Sequence, residues 1–375
     1  MLINRSGTMV LAFMTLYCRH LGFTLSQGGI VVAIYGLGSV SGALIGGKLS
    51  DAFGFYRIQF LSLFCGGLLF LVLGQMEDYT SICIFTFILA MVNETFRPAN
   101  STAIAYYSTP QNRTQAYSLV RLAVNLGWGI GSALGGLLAS INYSLLFWVD
   151  GATNISASVL LLIILPAVSL KQQYIPEQAV EKVAGTGVPY RDKVFLYFLF
   201  LQLLFAISFF QLFTTIPVYF KDVLRMTEFW IGVVMSLNGV LIALFEMVIV
   251  FKLEGRKPYL VLMGYGSILM GVSFLLLTLP AAWGLLIAMA CMLVITVAEM
   301  VSMPFMNSYY IARTTQLTRG SYAGMYTMTW SLAQVIGSSS GAFIAASVGF
   351  EGLWFSVCSI CLMAGAGFFI LNKKT

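Results

Sequence analysis

The chain has 375 residues and a formal net charge of +6, with 59% hydrophobic and 9% charged residues. An ordinary soluble domain carries about 25% charged residues, so this composition excludes a water-soluble fold. The runs 58–75, 144–167 and 259–279 contain at most one charged residue each, and each is long enough for a helix to cross about 30 Å of hydrocarbon. They show no strand-like alternation of polar and apolar residues, which favours membrane helices over a barrel.

Twelve apolar segments follow one another along the chain. In order, they cover 2–18, 29–47, 58–75, 82–105, 116–140, 144–167, 194–219, 230–251, 259–279, 283–308, 321–347 and 351–371. The first is short and contains Arg5, which is expected if the chain starts partway into its first helix. We therefore predict an all-α polytopic membrane protein with twelve transmembrane helices in two pseudo-symmetric six-helix bundles. The bundles cover residues 1–167 and 194–375, and a cytoplasmic linker covers 168–193.

Basic residues are distributed unevenly between the loops. Of the twenty Lys and Arg residues, fourteen lie in one alternate set of loops and the C-terminal tail, three lie in the other set, and three lie within apolar segments. Cytoplasmic loops carry the excess of Lys and Arg, so the first set and the C-terminus are expected in the cytoplasm. This topology accounts for the positive net charge without nucleic acid, and it predicts a multi-pass protein of the inner (cytoplasmic) membrane.

The two halves of the chain share an internal repeat. A shift of 206 positions superposes a proline and two glycines of each half: Pro98 on Pro304, Gly131 on Gly337 and Gly135 on Gly341. Six spans per repeat is an even number, so both halves enter the membrane from the same side and are related by an axis along its normal. Charge is not repeated, because uncharged residues stand at the shifted positions of the first-half charges: Met300, Met303 and Thr327.

Those first-half charges are Glu94, Arg97 and Arg121, which all lie inside apolar segments. Ionisable residues are costly there and mark functional sites by default. Glu94 and Arg97 are three residues apart and can pair on one helix face. A carboxylate beside a movable cation can load and release a proton, so these three residues are predicted to couple proton movement. The alternative is a buried charge network that only fixes helix packing. Asp150, near the outer end of its segment, is expected to reach the interface.

Further polar residues within the apolar segments are candidates for a substrate cavity. They are Arg5, Tyr35, Asn100, Asn125, Gln211, Asn238, Glu246, Glu299 and Asn307. The eighteen methionines and twenty-nine phenylalanines would suit an adaptable apolar pocket. The alternative for the amide residues is a hydrogen bond to a neighbouring helix, which is their commoner role in a helical bundle.

Enzymatic chemistry has little support in the sequence. The single histidine, His20, lies in an outer loop, and the six cysteines lie in or beside apolar segments. No phosphate-binding loop of the G-x-x-x-x-G-K-[ST] type occurs, so ATP is not expected as the direct energy source. We predict no catalytic residue, no metal site and no cofactor.

Three local patterns resemble the major facilitator superfamily. The first is the loop between the second and third segments, Gly-Lys-Leu-Ser-Asp-Ala-Phe-Gly-Phe-Tyr-Arg at 47–57. It is similar to the family's loop signature, and the matching positions, which the resemblance assigns to conformational switching, are Gly47, Asp51, Gly54 and Arg57. Two basic positions of that signature are occupied here by Ala52 and Phe55.

The other two patterns lie in the fourth and fifth segments. Arg97 fits the family's buried arginine, which is implicated in proton coupling. The stretch 127–136 is similar to the glycine-rich motif of proton-driven antiporters, with Ser132 in place of the usual proline. Glycines four apart let helices approach closely, and a moving helix interface is predicted at Gly127, Gly131, Gly135 and Gly136.

The resemblance implies a secondary transporter that works by alternating access. Our leading hypothesis is proton-coupled efflux of amphipathic drug-like small molecules by a monomer in the lipid bilayer. The alternative is a symporter or uniporter for a small polar nutrient such as a sugar or peptide. A third hypothesis is a non-transporting receptor or assembly factor, although no extramembrane domain is predicted that could bind a soluble partner.

Overall fold

The computed structural model describes residues 1–108, 113–165, 189–313 and 319–374. Within these ranges the regular structure is helical, with α-helices, two short 3-10 turns and no strand. The all-α prediction is confirmed. The physical reason is that lipid offers no hydrogen-bond partner to the backbone, and a helix satisfies its own N–H and C=O groups.

The described helices fall into two series. The first series is α1 Leu2–Ser6, α2 Met9–His20, α3 Leu25–Phe53, α4 Phe55–Leu73, α5 Tyr79–Glu94, α6 Phe96–Tyr107, α7 Arg113–Ile141 and α8 Ser144–Ile164. The second series is α9 Lys193–Phe209, α10 Gln211–Thr214, α11 Ile216–Asp222, α12 Glu228–Leu253, α13 Tyr259–Leu276, α14 Gly284–Ala312, α15 Arg319–Ser347 and α16 Gly349–Lys374. Three predicted segments are subdivided, into α1 and α2, α5 and α6, and α9 to α11.

Ten helical stretches of the described chain are long and apolar enough to cross a membrane. The two predicted segments outside this set are the first, which is divided at Gly7, and α15, which is rich in serine, glycine and threonine. Together they make up the twelve segments that the hydropathy pattern predicts.

The repeated proline acts differently in the two halves. In the first half, α5 ends at Glu94 and α6 begins at Phe96. Pro98 lies four residues after Glu94, and a proline ring clashes with the carbonyl four residues before it, so the helix is interrupted there. In the second half, Pro304 lies inside the uninterrupted α14. The segment predicted at 82–105 is therefore present as one apolar span, Tyr79–Ile104, but it contains two helices, and Glu94 lies at the end of the first.

The first helix of the second series is interrupted as well. Gln211, at the start of α10, donates to the carbonyl oxygens of Ile207 at 3.0 Å and of Gly337 on α15 at 2.9 Å. Its side-chain oxygen accepts from the Thr215 hydroxyl at 2.9 Å. These bonds satisfy polar groups that the interruption would otherwise leave without partners in a buried setting.

The chain divides by packing into two units. One comprises Met1–Ala179 with Thr227–Gly239, and the other comprises Val180–Met226 with Val240–Thr375. In the first unit, α3 packs against α5 and α4 packs against α8. In the second unit, α13 packs against α14 and α16, and α9 packs against α15.

Candidate functional site

The predicted ion pair between Glu94 and Arg97 is present in the first unit. Arg97 Nε lies 3.3 Å from Glu94 Oε2, and the two side chains are 60% and 14% exposed, respectively. The interruption at Thr95 places the carboxyl at the end of α5 and the guanidinium in the first turn of α6. A shielded carboxylate is therefore held by a cation that remains accessible, which is the arrangement a releasable pair requires.

Two of the predicted cavity residues join this pair. Arg5, near the end of α1, interacts electrostatically with Glu94, Arg97 and Tyr35. Tyr35, which is half-buried on α3, interacts in turn with Glu94, Arg5 and Arg97. Arg5 Nε is buried without a hydrogen-bond partner in the described structure. Arg5, Tyr35, Glu94 and Arg97 together form what we term the charge cluster.

Glycines of α7 set the position of Arg5. A Cβ at Gly127 would lie 2.7 Å from Arg5 Cβ, and one at Gly131 would lie 2.9 Å from the Ser6 carbonyl oxygen. One turn further on, a Cβ at Gly135 would lie 3.1 Å from Met9 Cβ. A Cβ at Gly127 or Gly131 would force a shift, and one at Gly135 would be tight, so the 127–131–135 face of α7 lets α1 and α2 approach.

A second glycine face of α7 meets the start of α12, which belongs to the same unit. A Cβ at Gly136 would lie 2.6 Å from Gly232 Cα, and one at Gly239 would lie 2.6 Å from the Gly129 amide nitrogen. The glycine-rich motif thus forms two separate helix interfaces, one with α1 and α2 and one with α12. The spacing of the glycines in the sequence did not predict this division. Backbones that meet without intervening side chains are typical of close helix pairs in membranes.

Asp150 is a buried residue whose role the sequence analysis missed. It is 0% exposed, and its carboxylate accepts from the Met9 N–H at 3.2 Å and from the Val10 N–H at 2.9 Å. These are the first two amides of α2, which have no acceptor within their own helix. The expectation that Asp150 reaches the interface is wrong, because the interruption at Gly7 turns the start of α2 toward α8.

Neighbouring groups hold this contact together. Asn4 donates to the side-chain oxygen of Asn154 at 2.8 Å, and Asn154 donates to the Asp150 carbonyl at 2.8 Å. A Cβ at Gly7 would clash with the Thr153 hydroxyl and would lie 3.4 Å from Asp150 Cα. Glycine at the interruption therefore allows α8 to come close enough for its carboxylate to cap α2. Only the fold, and no pattern in the sequence, brings residues 140 positions apart into this bond.

Two predicted cavity residues instead bond to neighbouring helices. Asn100, on α6, accepts from Gln59 of α4 at 3.2 Å. Gln211 is buried and bonds to α15 as described above. For both, the alternative interpretation as inter-helix hydrogen bonds agrees with the contacts.

The remaining predicted cavity residues differ in exposure. Asn307 is exposed, and Asn125 is half-buried. Asn238 is 3% exposed, and the carboxyl-bearing Glu246 and Glu299 in the second unit are 6% and 5% exposed. All three therefore lie away from the protein surface.

Arg121, the third residue predicted to couple proton movement, lies on α7. Its side chain is exposed, so the alternative of a fully buried charge network does not describe it.

The predicted loop signature joins α3 to α4. Gly54 has a φ of 85°, which favours glycine and explains its place at the tight turn. A Cβ added at Gly47 would have no atom within 4 Å. The Arg57 side chain is exposed. The side chain of Asp51 lies outside the described residues.

The second unit contains an ion-pair network that the sequence analysis did not single out. Asp192 caps α9 by accepting from the Phe195 N–H at 3.0 Å. Arg313 Nη2 lies 3.1 Å from both Asp192 oxygens, and the Tyr322 hydroxyl donates to the same carboxylate at 3.1 Å. Burial opposes ionisation, but the Phe195 amide and Arg313 hold the pKa of Asp192 below its usual value. This network joins the start of α9, the residue after α14 and α15.

No group of three or more His, Cys, Asp or Glu residues in the described part of the chain is arranged to hold a metal ion.

Known proteins share this sequence pattern at low identity. The uncharacterized MFS-type transporter YttB of Bacillus subtilis is 25% identical over 388 residues, which cover 100% of this chain and 94% of that protein. A Na(+), Li(+), K(+)/H(+) antiporter of Planococcus maritimus is 25% identical over 371 residues, covering 89% and 85%. The quinolone resistance protein NorA of Staphylococcus aureus is 22% identical over 240 residues, covering 64% and 61%.

The fold is likewise found in solved structures. A POT family transporter crystallised with 5-aminolevulinic acid has a TM-score of 0.79 at 14% identity, covering 100% of this chain and 94% of that one. The Major Facilitator Superfamily model matches residues 1–338. With its interrupted first helix, its glycine-lined α7 and its twelve apolar segments, this chain belongs to the Major Facilitator Superfamily and is a secondary transporter, not an enzyme.

Proposed function

We propose that the chain exports amphipathic, drug-like small molecules in exchange for protons across the cytoplasmic membrane by alternating access. The observation that carries the proposal is the charge cluster, in which a shielded Glu94 carboxyl pairs at 3.3 Å with a largely exposed Arg97. When Arg97 leaves, Glu94 is a carboxylate in a low-dielectric setting and binds a proton more readily. Arg5 and Tyr35 adjoin the same carboxylate.

The glycine faces of α7 support the conformational part of the proposal. Gly127 and Gly131 adjoin α1, and Gly129 and Gly136 adjoin α12. Helices that meet through backbone can slide without side chains having to repack. Movement of α7 against α1 would change the surroundings of Arg5, and through it those of Glu94. NorA, a quinolone resistance protein by name, favours drugs as the transported class.

The test is substrate-driven proton movement in proteoliposomes of purified protein. Glu94→Gln and Arg97→Ala are each expected to abolish proton exchange while substrate binding persists, because the group that exchanges the proton, or its partner, is removed. Glu77→Gln, at an exposed acidic residue just before α5, is the matched control and should leave the exchange intact. Unchanged proton exchange in both Glu94→Gln and Arg97→Ala would contradict the assignment of the charge cluster.

A second candidate function is exchange of monovalent cations for protons. The relative named as a Na(+), Li(+), K(+)/H(+) antiporter covers 89% of this chain, which is more than NorA covers. The same proteoliposomes distinguish the two functions. Drug export predicts proton movement on adding a drug in constant salt, whereas cation exchange predicts proton movement on adding Na+, Li+ or K+ salts alone. A nutrient symporter would move protons in the same direction as its substrate.

The proposal includes an orientation, with the C-terminus in the cytoplasm of the inner membrane. Its support is the excess of Lys and Arg in one set of alternate loops. A reporter fused after Lys374 that is active only outside the cytoplasm should remain inactive, and activity would reverse the assigned topology.

A further inference from the structure

The interruption of the first helix at Gly7 divides it into two parts that are held by different neighbours. The end of α1 is seated on α7, where Cβ atoms at Gly127 and Gly131 would touch Arg5 and Ser6. The start of α2 is held by α8, where the Asp150 carboxylate accepts from Met9 and Val10. The position of α1 relative to α2 therefore depends on both contacts.

The Asp150 contact is unusual for a group this deeply buried. Its two oxygens are satisfied by backbone amides, which bring the partial positive charge of a helix N-terminus. A carboxylate within a membrane segment is expensive, and residues of this kind mark function by default. The function proposed above uses Glu94 and leaves Asp150 without a role.

Protonation has a specific geometric consequence here. An ionised carboxylate accepts at both oxygens, whereas a protonated one carries an O–H and becomes a donor at one of them. The hydroxyl oxygen of a carboxylic acid is a much poorer acceptor than a carboxylate oxygen, so the bond from either the Met9 or the Val10 N–H weakens. The bond to Met9 is the longer of the two, at 3.2 Å against 2.9 Å.

The groups that face Asp150 from the surrounding helices are few. Tyr35 of α3 is the titratable group that interacts with it electrostatically, and Tyr35 also senses the charge cluster. From α1, Asn4 bonds to Asn154 at 2.8 Å, and the charged residue of that helix is Arg5. From α4, Gly67 and Leu71 pack against Gly151, and α2 presents its main chain.

We propose that Asp150 is a proton-sensitive positioning residue for the charge cluster. As a carboxylate it fixes the interruption between α1 and α2, and so holds Arg5 beside Glu94. As a carboxylic acid it releases one of the two amides and lets α1 shift with α7. Its role in transport rests on the proposed proton coupling, but the bond change itself does not.

The bond change can be measured without any transported substrate. Hydrogen exchange of the full-length protein in lipid nanodiscs, resolved to single amides by fragmentation, reports directly on Met9 and Val10. These two amides have no acceptor within their own helix, so their protection depends on Asp150. After correction for the intrinsic pH dependence of exchange, at least one amide should lose protection by about tenfold as pH falls, as expected for one lost hydrogen bond.

Three variants make the outcome decisive. Asp150→Asn cannot titrate, so the pH dependence at Met9 and Val10 should disappear. Asn154→Ala removes the neighbouring hydrogen-bonding side chain on the same helix and should leave the pH dependence at Met9 and Val10 unchanged. Glu94→Gln should leave that pH dependence unchanged as well. Constant protection of the wild type across pH, or persistent pH dependence in Asp150→Asn, would overturn the proposal. If only the proposed function is wrong, proteoliposomes should show no substrate-driven proton movement, while the pH dependence of amide exchange at Met9 and Val10 remains.

Discussion

Two carboxylates cap the start of a first-helix element, one in each unit, and their surroundings differ. Asp150 reaches α2 from another helix and is fully buried, and among the described residues its carboxylate bonds to two backbone amides. Asp192 directly precedes α9, is partly exposed, and shares its charge with Arg313 and Tyr322. In both units a carboxylate caps the first amides of a helix. In the second unit this helix start is partly exposed, and in the first unit it is deeply buried.

The difference shows why burial and partner type must be considered together. A carboxylate beside a guanidinium at a helix end stays ionised under ordinary conditions and acts as a structural tie. A buried carboxylate that is bonded by backbone amides has less to keep it ionised. Asp192 therefore acts as a structural tie, whereas Asp150 is the acid that we propose responds to protons.

The largest expected effect concerns Gly7, which lies between α1 and α2 and allows α8 to pack closely against them. Gly7→Ala would place a Cβ against the Thr153 hydroxyl, forcing α8 away and weakening both Asp150 bonds. Overpacking of this kind costs about 1–3 kcal/mol. Thermal unfolding of the purified protein in detergent should show the loss, and Thr153→Ala in the same chain should recover much of it. Gly324→Ala, where a Cβ meets nothing within 4 Å, should cause no loss, and an equal loss there would contradict the steric reason.

A smaller effect is expected at Arg313, which forms an ion pair with Asp192. Arg313→Gln removes the charge that lies 3.1 Å from Asp192. The pair is partly exposed, so the loss should be about 1 kcal/mol or less. Asp192→Asn should cost a similar amount, and the double variant should cost less than the sum, because both remove one interaction. Fully additive losses in a double-mutant cycle would show that the two residues act independently.

The smallest effect is the pH dependence of the Asp192 contribution. Its pKa is lowered in the folded protein, so its stabilisation is fully present above the unfolded pKa of about 3.9 and is lost as pH falls through the folded value. The stability difference between wild type and Asp192→Asn should therefore be constant near neutral pH and shrink only in acid. If the stability difference between wild type and Asp192→Asn already changed near neutral pH, the contrast drawn here between Asp192 and Asp150 would be wrong.

Much of the fold was predictable because membrane helices are encoded locally. Length and hydropathy predict the segments, and the three-residue spacing of Glu94 and Arg97 predicts their contact. The interruptions were less accessible. Pro98 could have signalled the end of α5, but Pro304 at the shifted position leaves α14 continuous. The outcome depends on the packing of the surrounding helices, which a single sequence does not specify.

The candidate site divides in the same way. Arg5 and Tyr35 were predicted only as cavity residues, and their approach to Glu94 depends on four helices meeting. Asp150 was assigned to the interface because hydropathy shows where a segment lies in the chain. It does not show which face of that segment meets the start of another helix. Arg121 was predicted to couple protons because it lies inside an apolar segment, but hydropathy does not show that its side chain is exposed on α7.

The capping of α2 by Asp150 also bears on how the chain enters the membrane. Inserting an aspartate at the centre of an isolated helix costs about 2.5–3.5 kcal/mol. When α8 leaves the ribosome, α2 has already been made, and its first amides offer the Asp150 carboxylate the hydrogen bonds that lipid cannot supply. The groups that satisfy this buried carboxylate therefore belong to a helix made some 140 residues earlier.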